Sequence, residues 1–232
     1  MSMPRRLAAL AVHAYTASGA LLGWLALRSA LDHDPRAAFL WLSLAVFVDA
    51  TDGVAARAAD VRRHAGWIDG ARLDDIVDFL TYVFVPLVIL WEQQLLGGVS
   101  GTVAVAAVLI ASGLGFSNVS AKTADHFFTG WPSYWNIVAV YIVAWRWSPL
   151  TTTVILLVLA ALVFVPIKYV YPSRTPTLMG PTVALGAIWA IQMLLTIWWI
   201  ADVPPWLLWS GLAYPAYYMA LSLWLNRERR PI

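Results

Sequence analysis

Apolar runs of helix length follow one another almost without interruption through this sequence, and they leave few folds open to it. Eight can be drawn, at 7–30, 37–58, 73–95, 102–119, 132–147, 150–171, 182–200 and 206–225. A helix rises about 1.5 Å per residue, so about 20 apolar residues cross the roughly 30 Å of hydrocarbon in a bilayer. With 61% hydrophobic and 12% charged residues, the expectation is an all-α polytopic membrane bundle of eight transmembrane helices. A single integral membrane domain over 1–232 accounts for the whole length, with no room for a separate soluble unit and no sign of a nucleic-acid partner. The absence of cysteine excludes disulfides and thiolate metal sites. Arg5 and Arg6 precede the first run, but no small-residue cleavage site follows, so that run is expected to be a retained first helix.

Charge sets the expected orientation. If both termini are cytoplasmic, that side holds Arg5, Arg6, Arg57, Arg62, Arg63, Arg72, Lys122, Lys168, Arg174, Arg227, Arg229 and Arg230. Only Arg28, Arg36 and Arg146 fall outside, as the positive-inside rule requires. The same topology brings Asp49, Asp52, Asp74 and Asp78 to the cytoplasmic ends of the second and third helices. A carboxylate deep in a bilayer costs roughly 2.5 to 3.5 kcal/mol on insertion scales, so four of them need a compensating partner. Asp49 and Asp52 are three apart and Asp74 and Asp78 four apart, so each pair shares a helix face. Carboxylate oxygens are what Mg²⁺ and Mn²⁺ prefer, and both ions tolerate phosphates in the same shell. Gly53 and Ala56 let a phosphate-bearing ligand approach the backbone, and Arg57 has the reach to pair with it.

These residues carry a resemblance. The stretch DATDGVAARAADVRRHAGWIDGARLDDIVDF resembles the signature of the CDP-alcohol phosphotransferase family, DxxDGxxAR followed after a spacer by GxxxDxxxD. Asp49, Asp52, Gly53, Ala56, Arg57, Gly70, Asp74 and Asp78 match it position by position. The spacer is longer than the family's usual one, because the shorter register would put Gly70 where an aspartate is required. The segments LDDIVDFLTYVFVP, AKTADHFFTGWPSYWNIVA and PIKYVYPSRTPT are similar to those of the family's bacterial, choline-using branch.

The resemblance implies a fold, a reaction and roles. The donor would be CDP-diacylglycerol, the acceptor choline, and CMP the leaving group, at the cytoplasmic side of a bacterial inner membrane. Asp49, Asp52 and Asp74 would be the primary ligands of two Mn²⁺ or Mg²⁺ ions. Asp78 would be the general base and could also touch a metal. The donor's CDP and phosphates would lie against Asp52, Gly53, Ala56, Arg57 and Gly70, with Lys168 and Arg174 as further phosphate partners. Choline carries a fixed charge and no N–H, so its site should be aromatic, with Tyr82, Asp125, Tyr134 and Trp135 as candidates and Phe127 and Phe128 in the same loop beside them. Membrane lipids surround such a protein, and the family implies a homodimer. Inositol, serine or glycerol phosphate as acceptor is the alternative within this chemistry. A cation transporter is the alternative outside it, although acids at a helix end and the absence of a repeat do not favour one.

Overall fold

The computed structural model describes residues 3–120, 123, 127–172 and 175–228, and over them the protein is mainly helical. The first two helices, α1 (Met3–Leu31) and α2 (Pro35–Ala58), pack as an antiparallel hairpin. Asp34 caps α2 by accepting the Ala37 N–H at 2.9 Å, and Pro35 occupies the first position, where a missing N–H costs nothing. The short α3 (Val61–His64) leads to α4 (Gly70–Asp78), capped by Asp69 on the Arg72 N–H at 3.1 Å. Gly19 of α1 lets α4 close on it, since a Cβ there would lie 2.5 Å from Val77 Cγ1.

From Asp78 the helix continues without a break through a π-helical stretch, Phe79–Phe84, into α5 (Val85–Glu92). The widening has an identifiable cause. Pro86 has no N–H to give the Tyr82 carbonyl four residues back, and in an α-helix its ring would clash with that carbonyl. The chain instead bonds Val85 N–H to Leu80 O, five residues back.

The remaining elements are α6 (Gly98–Phe116), β1 (Phe127–Thr129), α7 (Trp135–Trp145), α8 (Pro149–Leu162), β2 (Lys168–Val170), α9 (Met179–Trp198), α10 (Pro205–Gly211) and α11 (Ala213–Glu228). Among the described residues four helices, α1, α2, α6 and α9, are long and apolar enough to cross a membrane. α7 and α8 are apolar but shorter. The core forms where the π-helical stretch, α5, α6, α7 and α8 meet, around Val83, Ile89, Val108, Trp135, Ile142 and Leu156, with Ala26 of α1, Phe39 of α2 and Ile197 of α9 joining it. Leu7, Trp24, Ile110 and Val158 point outward and are exposed, as on helices that are apolar all round.

The all-α expectation needs one amendment. The apolar run 150–171 is helical only to Leu162, and its end forms β2, which pairs antiparallel with β1. Phe127 lies opposite Val170, Phe128 opposite Tyr169 and Thr129 opposite Lys168. An open strand edge in apolar surroundings would leave peptide groups unsatisfied, and α11 closes it. Asn226 accepts the Lys168 N–H at 3.1 Å and donates to the Lys168 carbonyl at 2.6 Å, while Ser222 Oγ accepts the Val170 N–H at 3.1 Å. One face of α11 therefore stands where a third strand would. Gly130 ends β1 at φ +83°, and any Cβ there would overlap the Val163 carbonyl.

Candidate active site

The last turns of α2 carry Asp49, Asp52, Gly53, Ala56 and Arg57, and α4 carries Gly70, Asp74 and Asp78. Asp49, Asp74 and Asp78 each offer a carboxylate oxygen, and these lie within 4.8 Å of one another. All three are half-buried. Two full negative charges at that separation repel by roughly 3 kcal/mol at an effective dielectric of about 20. A set of hard oxygen donors held this close suits a divalent cation. Tyr82, on the π-helical stretch, donates to Asp49 Oδ2 at 2.8 Å and fixes that carboxylate from the side.

Asp52 faces another way. Three residues on from Asp49, it is displaced by about 60° around the helix, toward α1. There its Oδ2 accepts the Thr16 hydroxyl at 2.7 Å, with Asp52 9% and Thr16 7% exposed. Gly53 carries the Arg57 guanidinium across it, since a Cβ would lie 3.4 Å from Arg57 Nη1. Arg57 itself is exposed, and Ala56 packs with Val61 and Ala65. Gly70 backs onto His13, whose Cε1 would be 3.2 Å from a Cβ at that position.

A cavity of about 1060 Å³ opens at the acids, at the upper end of the range for small-molecule sites. Its lining includes Asp49, Asp69, Arg72, Asp74, Asp75 and Asp78 from α2, α4 and the cap of α4. Phe79 and Tyr82 come from the π-helical stretch. Phe128, Trp131, Tyr134 and Tyr171 come from the strands and the turns beside them. Arg72 Nε lies 3.9 Å from Asp69, so the one described cation of the lining is drawn to an acid.

The residues expected at the acceptor end separate. Tyr82 and Tyr134 line the cavity with ring centroids 6.4 Å apart. Trp135 is 1% exposed in the core, and its Nε1–H donates to Ser112 Oγ at 2.7 Å, so it does not reach the cavity. Asp125 and Arg174 lie outside the described residues. Lys168 sits on β2 with Nζ 5.9 Å from the Phe127 ring centroid, and it is not among the described residues lining the cavity.

Two features escape a reading of the sequence. One is Thr16, whose hydroxyl the sequence does not distinguish from those of Tyr15, Ser18 and Ser29 in the same helix. The other is the stacking of Phe128 on Tyr171, with centroids 4.6 Å apart and planes 28° apart. Both rings stand in aromatic-rich segments, but nothing local says that the segments pair.

No protein-family model matches the chain. Among curated proteins it is 38% identical over 92% of its length to the phosphatidylcholine synthase of Pseudomonas aeruginosa, of which it covers 90%. It is 38% identical over 83% of its length to that of Bradyrhizobium diazoefficiens, covering 72%, and 42% identical over 70% to that of Legionella pneumophila, covering 64%. With likeness of this degree over most of its length, the chain belongs to the phosphatidylcholine synthase family.

Proposed function

We propose that this protein transfers the phosphatidyl group of CDP-diacylglycerol to choline, forming phosphatidylcholine and releasing CMP. The observation that carries the reading is the convergence of Asp49, Asp74 and Asp78 on a cavity with an aromatic lining. Asp49, Asp52 and Asp74 hold Mn²⁺ or Mg²⁺, two ions in all. Thr16 occupies only Oδ2 of Asp52, which leaves Oδ1 available. Bound there, the ions supply neutralisation of the charge that develops on the departing phosphate.

Asp78 takes the proton of the choline hydroxyl, whose oxygen attacks the phosphorus bearing diacylglycerol as the bond to the CMP oxygen breaks. A carboxylate is a weak base at neutral pH, so the contribution of Asp78 is alignment more than basicity. Gly53, Ala56 and Gly70 allow the donor to lie close to the helices, and Arg57, Lys168 and Arg174 pair with its phosphates. Tyr82 and Tyr134 face the acceptor's ammonium, with Asp125 as its carboxylate partner and Trp135 packing behind. Eight spans with both termini cytoplasmic, in a bacterial inner membrane and as a homodimer, complete the reading.

The test is purified full-length protein in detergent with CDP-diacylglycerol and Mn²⁺ or Mg²⁺. CMP release is measured with choline, inositol, serine and glycerol phosphate in parallel. Choline-dependent release is expected, and its absence sinks the proposal. Asp78→Asn should lower turnover by about 10²- to 10⁴-fold while leaving donor binding in place.

A further inference from the structure

The carboxylates stand on α2 and α4, and the strands bring two rings together at the same cavity. Phe128 belongs to β1 and Tyr171 follows β2, one position beyond the paired residues. Tyr169 lies directly opposite Phe128, so Tyr171 is its diagonal neighbour across the pair, a distance that aromatic side chains span. Their stack is 4.6 Å between centroids.

Burial separates these rings from the ones that only pack. Phe127, Tyr169 and Val170, from the same strands, are 1%, 0% and 1% exposed. Phe128 and Tyr171 are half-buried and line the cavity, as Tyr134 does. The backbone beneath them is fixed by Asn226 and Ser222, so the rings are presented by a braced support.

The charge of the lining indicates what those rings receive. Its described ionisable carboxylates are Asp49, Asp69, Asp74, Asp75 and Asp78, against the single cation Arg72. Among the described residues, those that the strands and adjoining turns give to the lining are uncharged, Phe128 and Tyr171 among them. A phosphate- or carboxylate-bearing acceptor would meet repulsion from these acids and, among the described residues beside the rings, no cationic partner in the lining. A quaternary ammonium has no N–H to satisfy, is held by ring faces within about 6 Å, and gains from the surrounding acids.

We infer that Phe128 and Tyr171, together with Tyr134, form the subsite for the acceptor's trimethylammonium group and thereby select choline over less methylated amines. The inference rests on the phosphatidyltransferase reading above and adds to it a specificity determinant on the β1–β2 pair.

The experiment uses the full chain in detergent with CDP-diacylglycerol and a divalent cation. The acceptors are choline, dimethylethanolamine, methylethanolamine and ethanolamine. Phe128→Leu and Tyr171→Leu, which keep apolar bulk but remove the ring face, should each raise the KM for choline roughly five- to thirtyfold. They should leave the KM for CDP-diacylglycerol within about twofold and narrow the preference for choline over ethanolamine by a similar factor. Tyr171→Phe keeps the face and should behave as wild type. Choline-induced protection from thermal unfolding, read without turnover, should weaken in both leucine variants.

An unchanged choline KM, a parallel rise in both KM values, or an unaltered choline-to-ethanolamine preference overturns the inference alone. Wild-type protein that shows no choline-dependent CMP release overturns the proposed function as well. If one leucine variant does not fold, the other decides, since an unchanged choline KM in it contradicts the assignment, as does a raised choline KM in Tyr171→Phe, which keeps the ring face.

Discussion

Thr16 is the residue on which the burial of Asp52 depends, and Thr16→Val tests that dependence with almost no change in shape. The hydroxyl donates to Asp52 Oδ2 at 2.7 Å, and both residues are more than nine-tenths buried between α1 and α2. A hydrogen bond to a charged group is worth about 1.5 to 3 kcal/mol, and removing the donor leaves the carboxylate oxygen without that partner. If Asp52 works at the donor's phosphates, the same energy appears as a drop of about ten- to a hundredfold in kcat/KM for CDP-diacylglycerol. The assay is CMP release at saturating choline with varied donor, beside a thermal melt of the detergent-solubilised protein. Thr16→Ser retains the donor and should recover most of both. The reasoning fails if Thr16→Val matches wild type in melting temperature and in kcat/KM, because the contact would then carry no energy. It fails in part if stability falls while the donor kinetics do not change, which would make Asp52 a packing residue.

Three further outcomes follow from the structure. Asn226→Ala removes both side-chain bonds to the Lys168 backbone and should cost about 1 to 3 kcal/mol for each peptide group left bare, seen as a lower melting temperature with Asn226→Asp intermediate. Gly130→Ala forces a Cβ into the Val163 carbonyl at a left-handed φ, so it should destabilise the fold by about 1 to 3 kcal/mol or prevent its recovery in detergent, whereas Gly97→Ala meets open space and serves as the control. Chelation with EDTA should abolish CMP release and Mn²⁺ or Mg²⁺ should restore it, and a chelated enzyme with full activity would leave the Asp49, Asp74 and Asp78 group without a cation to hold.

Patterns that repeat along one helix were readable in the sequence. Apolar length located α1, α2, α6 and α9, and the spacing of Asp74 and Asp78 put them on one face, where the structure has them. What crosses between segments was not readable. Asp52 and Asp49 look equivalent as a pair, but the packing of α1 on α2 gives Asp52 a Thr16 partner that spacing alone cannot announce. The aromatic loop suggested Trp135 as readily as Tyr134. The choice between them is made by the direction in which α7 begins, which sends one ring into the core and leaves the other at the cavity. Pro86 was visible throughout, yet its consequence is displaced toward the preceding turn, where the π-helical stretch carries Tyr82.

The two departures from regular α-helix have a common position. The π-helical stretch and the β1–β2 pair both supply residues to the lining of the cavity at the acids, Tyr82 from the first and Phe128 from the second. In a membrane chain, irregular backbone is tolerated only where protein or a water-filled cavity can satisfy it. Here Val85 closes a bond to Leu80 in one case, and Asn226 and Ser222 replace a missing strand in the other. Each solution takes side chains or register away from simple packing, which is a cost that lipid-facing helices do not bear. A bundle made only of straight helices would place side chains at fixed angular steps around each axis, with no independent adjustment of an acid and the ring beside it. Widening one turn sets Tyr82 against Asp49, and pairing two short strands sets Phe128 against Tyr171. The irregular segments are therefore where this fold specifies its site, and substitutions that restore regular helix there should impair the reaction more than they impair folding.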